Sequence, residues 1–434
     1  MVSTPQPQET RHLIAGEIIG KYSPITFEDT KEIFVYNKST ELHEPGETTI
    51  EAEIQAQLAN QTSKTDVSEI IAIIQRKTFV NRNQIDEDNK NLVPLQNCIL
   101  NIKTKEKIPY SDGEIFFHKH NITYNPEATE YPKIKKFLEE ITKKESDITL
   151  LKEIIGYCFI KNYKFQYIFV FVGEGANGKS VLLNLLINML GEQCICQKTL
   201  QLLTDYYFAP AALYGKNANI INDLPKKQFK DTGMLKALSG GDWVETEIKY
   251  KGSIKFQNHA KLIAACNEIP QSDDESMGFY RRFVIIEFPH MFEGATENKN
   301  LLEEITREEE KSAFFNACLT AYLEAEARGT LSYSATIEEK RKIYLNYSNS
   351  AKVFAEEELE LNSNGEITKT DLWLTYLDFC QKNKIFKKPM VWFFRELYKY
   401  FGGNARQTRK DGVMRIQGIS WRQKDVIFET GYEG

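Results

Sequence analysis

The chain has 434 residues, 41% hydrophobic and 27% charged, with a formal net charge of −6. That is material for roughly two to four folded domains, and it excludes wholesale disorder and a globally basic nucleic-acid binder. No apolar run approaches the ~18–20 residues of a membrane span, no secretory signal opens the chain, and scattered cysteines make no disulfide framework; a reducing, cytoplasmic setting without a membrane partner is expected.

Residues 1–20 open polar and read as a frayed terminus. Glu32–Asn37 reads as a strand, Ile50–Leu58 and Val67–Ile74 as helices, and Leu95–Ile102 and Glu114–His118 as strands. No catalytic motif stands out before residue 130, so 1–130 is expected to be an α+β module with a structural or oligomerising role. His118 and His120 alternate without acidic or cysteine company, and Cys194 and Cys196 form a lone CxC; neither is metal spacing. Ile134, Phe137, Leu138 and Ile141 then fall at helical spacing, as do Leu151, Ile154, Ile155 and Cys158. These two helices open a segment expected to run from 131 to 295.

Within it, the apolar run Tyr167–Val172 leads into Gly173-x-x-x-x-Gly178-Lys179-Ser180, and Leu182, Leu185, Leu186, Met189 and Leu190 follow at helical spacing. Strand, glycine-rich loop and helix in that order make the pattern a phosphate cradle. Backbone N–H groups over Gly173, Gly175, Ala176, Asn177, Gly178, Lys179, Ser180 and Val181 can converge on phosphate oxygens at the positive end of the helix. Lys179 is expected at the β- and γ-phosphates of ATP, and the Ser180 hydroxyl on Mg²⁺.

Asn219–Asp223 reads as a short strand ending in an acid, where Asp223 would hold Mg²⁺ and orient the attacking water. Trp243–Lys249 and Ser253–Phe256 read as a hairpin with Lys249, Tyr250 and Lys251 at its tip. Lysines for phosphates and a tyrosine for stacking suit single-stranded nucleic acid, and a solvated tip is the alternative. Asn267 ends the buried-type strand that starts at Lys261, where it suits a γ-phosphate or attacking water, or serves as a plain strand cap. Arg281 and Arg282 precede the strand Phe283–Phe288, and an adjacent arginine pair can clamp a phosphate.

Residues 296–358 are charged and helical in pattern, and Asn362–Gly365 is a turn-rich boundary. Asp371–Cys380 and Trp392–Phe401 look like helices, and Val413–Trp421 like a hairpin. Helices followed by a basic hairpin suit a winged helix–turn–helix over 359–434, with Lys387 to Arg406 as its recognition end. From Lys382 to Lys424 twelve basic residues face only Glu396 and Asp411. Lys387, Lys388, Arg406, Arg409 and Lys410 are therefore the expected DNA contacts of the tail.

The order Gly173–Ser180, Lys236 with Ser239–Asp242, Lys255-Phe256 before Asn267–Pro270, and Arg281-Arg282 before the last strand resembles the superfamily III helicases. Within the AAA+ ATPases the likeness is to the phage, plasmid and poxvirus primase-helicase branch, from about Leu95 to Trp421. The resemblance implies an α/β fold: an AAA+ P-loop core with a parallel sheet, an N-terminal α+β domain and a C-terminal winged helix. It implies Lys179 and Ser180 as Walker A, Asp223 as Walker B and Asn267 as sensor. Arg281 or Arg282, with Arg282 preferred, would be the finger reaching a neighbouring subunit of a homo-hexameric ring. Lys249 and Lys251 would track one DNA strand through the channel. Relatives place two carboxylates where this chain has Asn222-Asp223, and nothing before Leu95 offers the paired acids of a primase metal site. Either a primase or polymerase would then act in trans, or this chain would be one part of a larger protein. The expected function is an ATP-dependent replicative helicase of a virus or plasmid; an origin-binding scaffold that does not unwind, or a DNA-packaging or signalling ATPase, are the alternatives.

Overall fold

The computed structural model describes residues 7–58, 63–249, 252–292, 298, 300–383 and 385–423. Contacts divide the chain into two compact units. The first holds Met1–Pro225, Asp231–Cys266 and Ile286–Ser334; the second holds Lys226–Lys230, Asn267–Ile285 and Ala335–Gly434.

The first unit opens with a helix, Pro7–Tyr22, where a frayed terminus was expected. Its apolar residues Ile14, Ala15 and Ile18 are buried in one cluster with Ile33, Val35, Ile50, Ile54, Ile70, Ile73 and Ile74, and that burial orders the segment. The cluster joins this helix and the helices Glu47–Leu58 and Lys64–Lys77 to the strand Ile33–Asn37, part of a four-stranded sheet. Two strand expectations are corrected. Leu95–Ile102 is broken by a tight turn in which Leu95 N donates to Cys98 O at 2.9 Å, leaving the strands Leu92–Pro94 and Ile99–Asn101. Glu114–His118 is not a strand: Phe117 is instead packed against Phe27 and Phe34, with ring centroids 5.7 and 4.9 Å away.

The central sheet is built from β1 (Ile168–Val172), β2 (Ile195–Cys196), β3 (Ala218–Ile221), β4 (Lys261–Cys266) and β5 (Phe283–Glu287). Their spatial order is β5-β1-β4-β3-β2, and β1–β4, β4–β3 and β3–β2 are parallel. Every residue of β1 to β4 is buried. That is why β1 reads as an unbroken apolar run, and β3 and β4 as nearly continuous ones interrupted by the buried Asn219 and Lys261, as suits parallel strands covered on both faces. The helices Glu145–Cys158 and Glu308–Arg328 pack so closely that a Cβ on Gly156 would lie 2.1 Å from the Cys318 carbonyl oxygen. Beside that contact the buried Glu153 carboxylate accepts from Arg328 Nη2 at 2.7 Å and from Ser332 N and Oγ at 2.6 and 2.7 Å. All seven cysteines are free and buried, and no cluster of His, Cys, Asp and Glu among the described residues could hold a metal.

The second unit includes the helices Ile337–Ser348, Ser350–Glu358, Lys369–Lys382 and Met390–Tyr400 and a three-stranded antiparallel sheet. Leu359–Thr368 and Arg406–Lys410 flank Val413–Trp421. The expected boundary at Asn362–Gly365 lies inside the first of these strands, where the register shifts between Leu361 and Glu366. No described helix is long and apolar enough to cross a membrane.

Three buried imidazoles, His43, His120 and His259, and the half-buried His118 are expected to make the first unit acid-sensitive. Burial pushes His43 and His120 down to about 4, and His118 and His259 well below their ordinary value. Each stays neutral in the folded chain while the unfolded chain takes up its proton below about pH 6.5. Their contribution is therefore fully present above that pH and is lost as pH falls toward 4. Urea unfolding followed by circular dichroism is expected to show a clearly lower midpoint at pH 5 than at pH 7.5; equal midpoints would contradict the burial of these rings.

Candidate functional site

β1 ends at Val172, and the chain turns through Gly173–Gly178 into the helix Lys179–Leu190. Phe288 N donates to Val172 O at 2.8 Å and Phe292 N to Ala176 O at 2.7 Å, so the segment after β5 braces both ends of the loop. Ala176 and Gly178 take positive φ of 53° and 86°. Gly178 caps the helix in the left-handed region, and a Cβ there would lie 2.5 Å from Ile141 Cγ2. Two requirements meet at this glycine: a backbone conformation that L side chains resist, and close approach to the helix Pro132–Ile141.

Lys179 is buried, and among the described residues its ammonium hydrogen-bonds to neutral oxygens. Nζ donates to Gly173 O at 2.6 Å, to Glu174 O at 3.0 Å and to Asn177 Oδ1 at 3.0 Å. Burial pushes its pKa below the ordinary lysine value, against the opposing pull of Cys266 and Asp223. Asn177, itself buried, is held by its own donation to Phe288 O at 3.2 Å. Ser180 is exposed at the helix start. A buried cation hydrogen-bonded to neutral carbonyl oxygens, at the positive end of a helix, suits an anion with several oxygens.

The neighbouring strands bring more polar ends to the same edge of the sheet. Leu224 N donates to Ala265 O at 2.8 Å and Gly173 N to Cys266 O at 3.3 Å, so the segments after β1 and β3 both hydrogen-bond to the end of β4. Asp223, exposed, stands two residues beyond β3, within electrostatic reach of Lys179. Asn267 is also exposed and follows β4 directly, as the first residue of its segment of the second unit. In that unit Arg281 is half-buried and Arg282 buried; an Nη1 of Arg282 donates to Gly278 O, and Lys340 Nζ to Arg281 O at 3.1 Å.

One feature beside the loop was not legible as a site. A cavity of about 470 Å³ is lined by Phe137 and Ile141, by Ala176, Gly178 and Val181, and by Phe292 and Leu301, with Lys136 and Glu140 also on its wall. The apolar spacing of Phe137 and Ile141 signals only a buried face, and the cavity wall and the core share that signal.

The hairpin is present as Trp243–Ile248 paired with Gly252–Gln257. Lys249 is exposed at its turn, while Tyr250 and Lys251 lie outside the described residues. Three consecutive aromatics that sequence reasoning passed over, Tyr206, Tyr207 and Phe208, are 61%, 55% and 52% exposed. Thr246 Oγ1, on the hairpin, donates to Tyr207 O at 2.6 Å and ties them to it. Runs of exposed aromatics are costly to leave in water, and that was the available signal. In the tail, Lys387, Arg406, Arg409 and Lys410 are exposed. Lys388 is corrected: it is 6% exposed and its charge is committed to Glu268, so it is not a surface phosphate contact.

Gly178→Ala is expected to lower stability by about 1–3 kcal/mol through backbone strain and the clash with Ile141. Thermal or urea unfolding measures it, and an unchanged midpoint would contradict the loop conformation described.

Residues 9–143 match a family model described as "D5 N terminal like", and residues 171–282 match a family of unknown function, DUF5906. The helicase-named protein L207/L206 of Acanthamoeba polyphaga mimivirus is 25% identical over 295 residues, which cover 65% of this chain and 30% of that protein. The chain thus matches less than a third of that relative's length. An apo structure of the NrS-1 C-terminal region (305–718) covers 94% of this chain and 100% of its own, with 14% identity and a TM-score of 0.50, a likeness of fold. The N-terminal match, the helicase-named viral relative and the ordered motifs support a likeness to the phage and viral primase-helicase family.

Proposed function

We propose that this chain is an ATP-dependent DNA helicase of the superfamily III type, with an AAA+ core working in a homo-hexameric ring. The observation that carries the reading is Lys179: a buried ammonium held by Gly173 O, Glu174 O and Asn177 Oδ1 at the N-terminus of a helix. It exchanges neutral acceptors for phosphate oxygens when ATP enters, a gain in charge pairing that needs no rebuilding of the loop. The adjoining cavity, with its Phe137, Ile141 and Phe292 walls, takes the nucleoside.

Ser180 Oγ and the Asp223 carboxylate are the donors that fit Mg²⁺, which supplies charge neutralisation on the β- and γ-phosphates when bound. Asp223 also orients the attacking water, the one acid at this position serving both tasks. Asn267 hydrogen-bonds the water or the γ-phosphate and reports its loss. Lys179 stabilises the charge that builds on the transferred group, joined by Arg281 or Arg282 from a neighbouring subunit.

Lys249, Tyr250 and Lys251 on the hairpin, with Tyr206, Tyr207 and Phe208 tied to it by Thr246, hold one DNA strand by phosphate pairing and base stacking. A C-terminal winged-helix module presents Lys387, Arg406, Arg409 and Lys410 to duplex, and a primase in trans completes the replicative role.

The experiment is unwinding of a forked duplex with ATP and Mg²⁺ by wild type and Lys179→Ala. Strand release by wild type alone is the expected result. Hydrolysis without release would replace the helicase with an origin-binding scaffold. Replacing Tyr207 and Phe208 together by Ala is expected to weaken binding of single-stranded oligothymidylate by about 1–3 kcal/mol per lost stack. Fluorescence anisotropy checks this, and unchanged affinity would remove the aromatic run from the DNA path.

A further inference from the structure

Glu268, directly after Asn267, sits between two lysines from different stretches of the second unit. Its Oε1 accepts from Lys226 Nζ at 3.0 Å, and its Oε2 accepts from Lys388 Nζ. Lys226 stands three residues after Asp223 in the chain. Lys388 stands two residues before the helix Met390–Tyr400, whose first residues Met390 and Val391 are exposed.

The clamp is built into the unit's interior on the Lys388 side. Lys388 Nζ also lies 5.2 Å from the Trp392 ring, and its backbone N donates to Tyr376 Oη at 2.9 Å. Tyr376 in turn bonds Ser350 Oγ at 2.7 Å and stacks on Phe393 with centroids 4.2 Å apart. The strap carrying Glu268 is fastened too: Ile269 N donates to Tyr347 O at 3.2 Å, and Tyr344 Oη to Pro270 O at 2.7 Å. Burial pushes the Glu268 carboxyl up, and the two lysines outweigh it and hold it below the usual range. Of the adjacent pair Lys387 and Lys388, one therefore faces solvent and the other faces the residue after Asn267.

We propose that Glu268 is a positioning residue that couples the nucleotide site to the basic C-terminal module. It yokes the chain just beyond Asp223 and Asn267 to Lys388, so that movement of those strand ends on hydrolysis shifts the start of the helix Met390–Tyr400. The proposal rests on the ATPase reading above. Coupling of this kind is a difference in DNA affinity between nucleotide states, and by linkage DNA must act back on nucleotide binding. An ion pair that served only to stabilise the module would leave both unchanged.

The test uses the full chain, with ATP hydrolysis measured with and without single-stranded oligothymidylate, and oligothymidylate affinity measured with and without ATP. Glu268→Gln, which keeps the shape and removes the charge, is expected to hold basal hydrolysis within about twofold. DNA stimulation and the ATP-dependent change in DNA affinity are expected to shrink at least about fivefold. Lys388→Met, with Lys226 still holding Glu268, is expected to act in the same direction and stands in should Glu268→Gln fail to fold. Full stimulation and an intact affinity change in either folded variant overturn the proposal. So does a wild type that hydrolyses ATP but whose hydrolysis ignores DNA and whose DNA affinity ignores ATP. A wild type without hydrolysis, or hydrolysis that survives Lys179→Ala, rejects the ATPase reading itself and the coupling with it, in controls that leave Glu268 untouched.

Discussion

The parallel pairing of β1, β4 and β3 is the constraint on which the site depends. Strands buried on both faces can meet a ligand only at their ends, and parallel strands place all their carboxyl ends on one edge. The loop after β1 carries Lys179, the chain after β3 carries Asp223, and β4 runs straight into Asn267. Two segments distant in sequence therefore bring a cation and an acid to one sheet edge. The bracing hydrogen bonds from Gly173 and Leu224 to the last residues of β4 hold that edge together.

Much of this was legible in residue order. β1, β3 and β4 announce themselves because a doubly covered strand has no polar face, and the glycine-rich loop has a spacing that little else requires. The hairpin Trp243–Gln257 was also readable from its alternation. The illegible parts have a common physical cause. The strand Leu359–Thr368 contains Asn362-Ser-Asn-Gly365, turn chemistry that a bulge absorbs once Val413–Trp421 pairs alongside. The helix Pro7–Tyr22 looks polar because only a narrow stripe is buried, and its partners are isoleucines far along the chain. Tertiary pairing overrides local preference in both cases.

Lys388 carries the same lesson for the site. Twelve basic residues in the tail share one composition signal, and composition cannot sort a lysine that faces solvent from a buried one that pairs with a half-buried carboxylate. Glu268 lies some hundred residues upstream, and only the folded chain sets the two together. Burial likewise separates Arg281 from Arg282, adjacent and chemically identical in sequence. Where charge is concerned, sequence supplies the inventory and packing decides which charges remain available to a ligand.

The most direct test of the account is calorimetric titration of ATP with Mg²⁺ into wild type and into Lys179→Ala. Binding by wild type, weakened at least about tenfold or about 1.4 kcal/mol in the variant, is predicted. Equal affinity in the two proteins, or no binding to wild type, would contradict the assignment of the Gly173–Ser180 loop as the phosphate cradle.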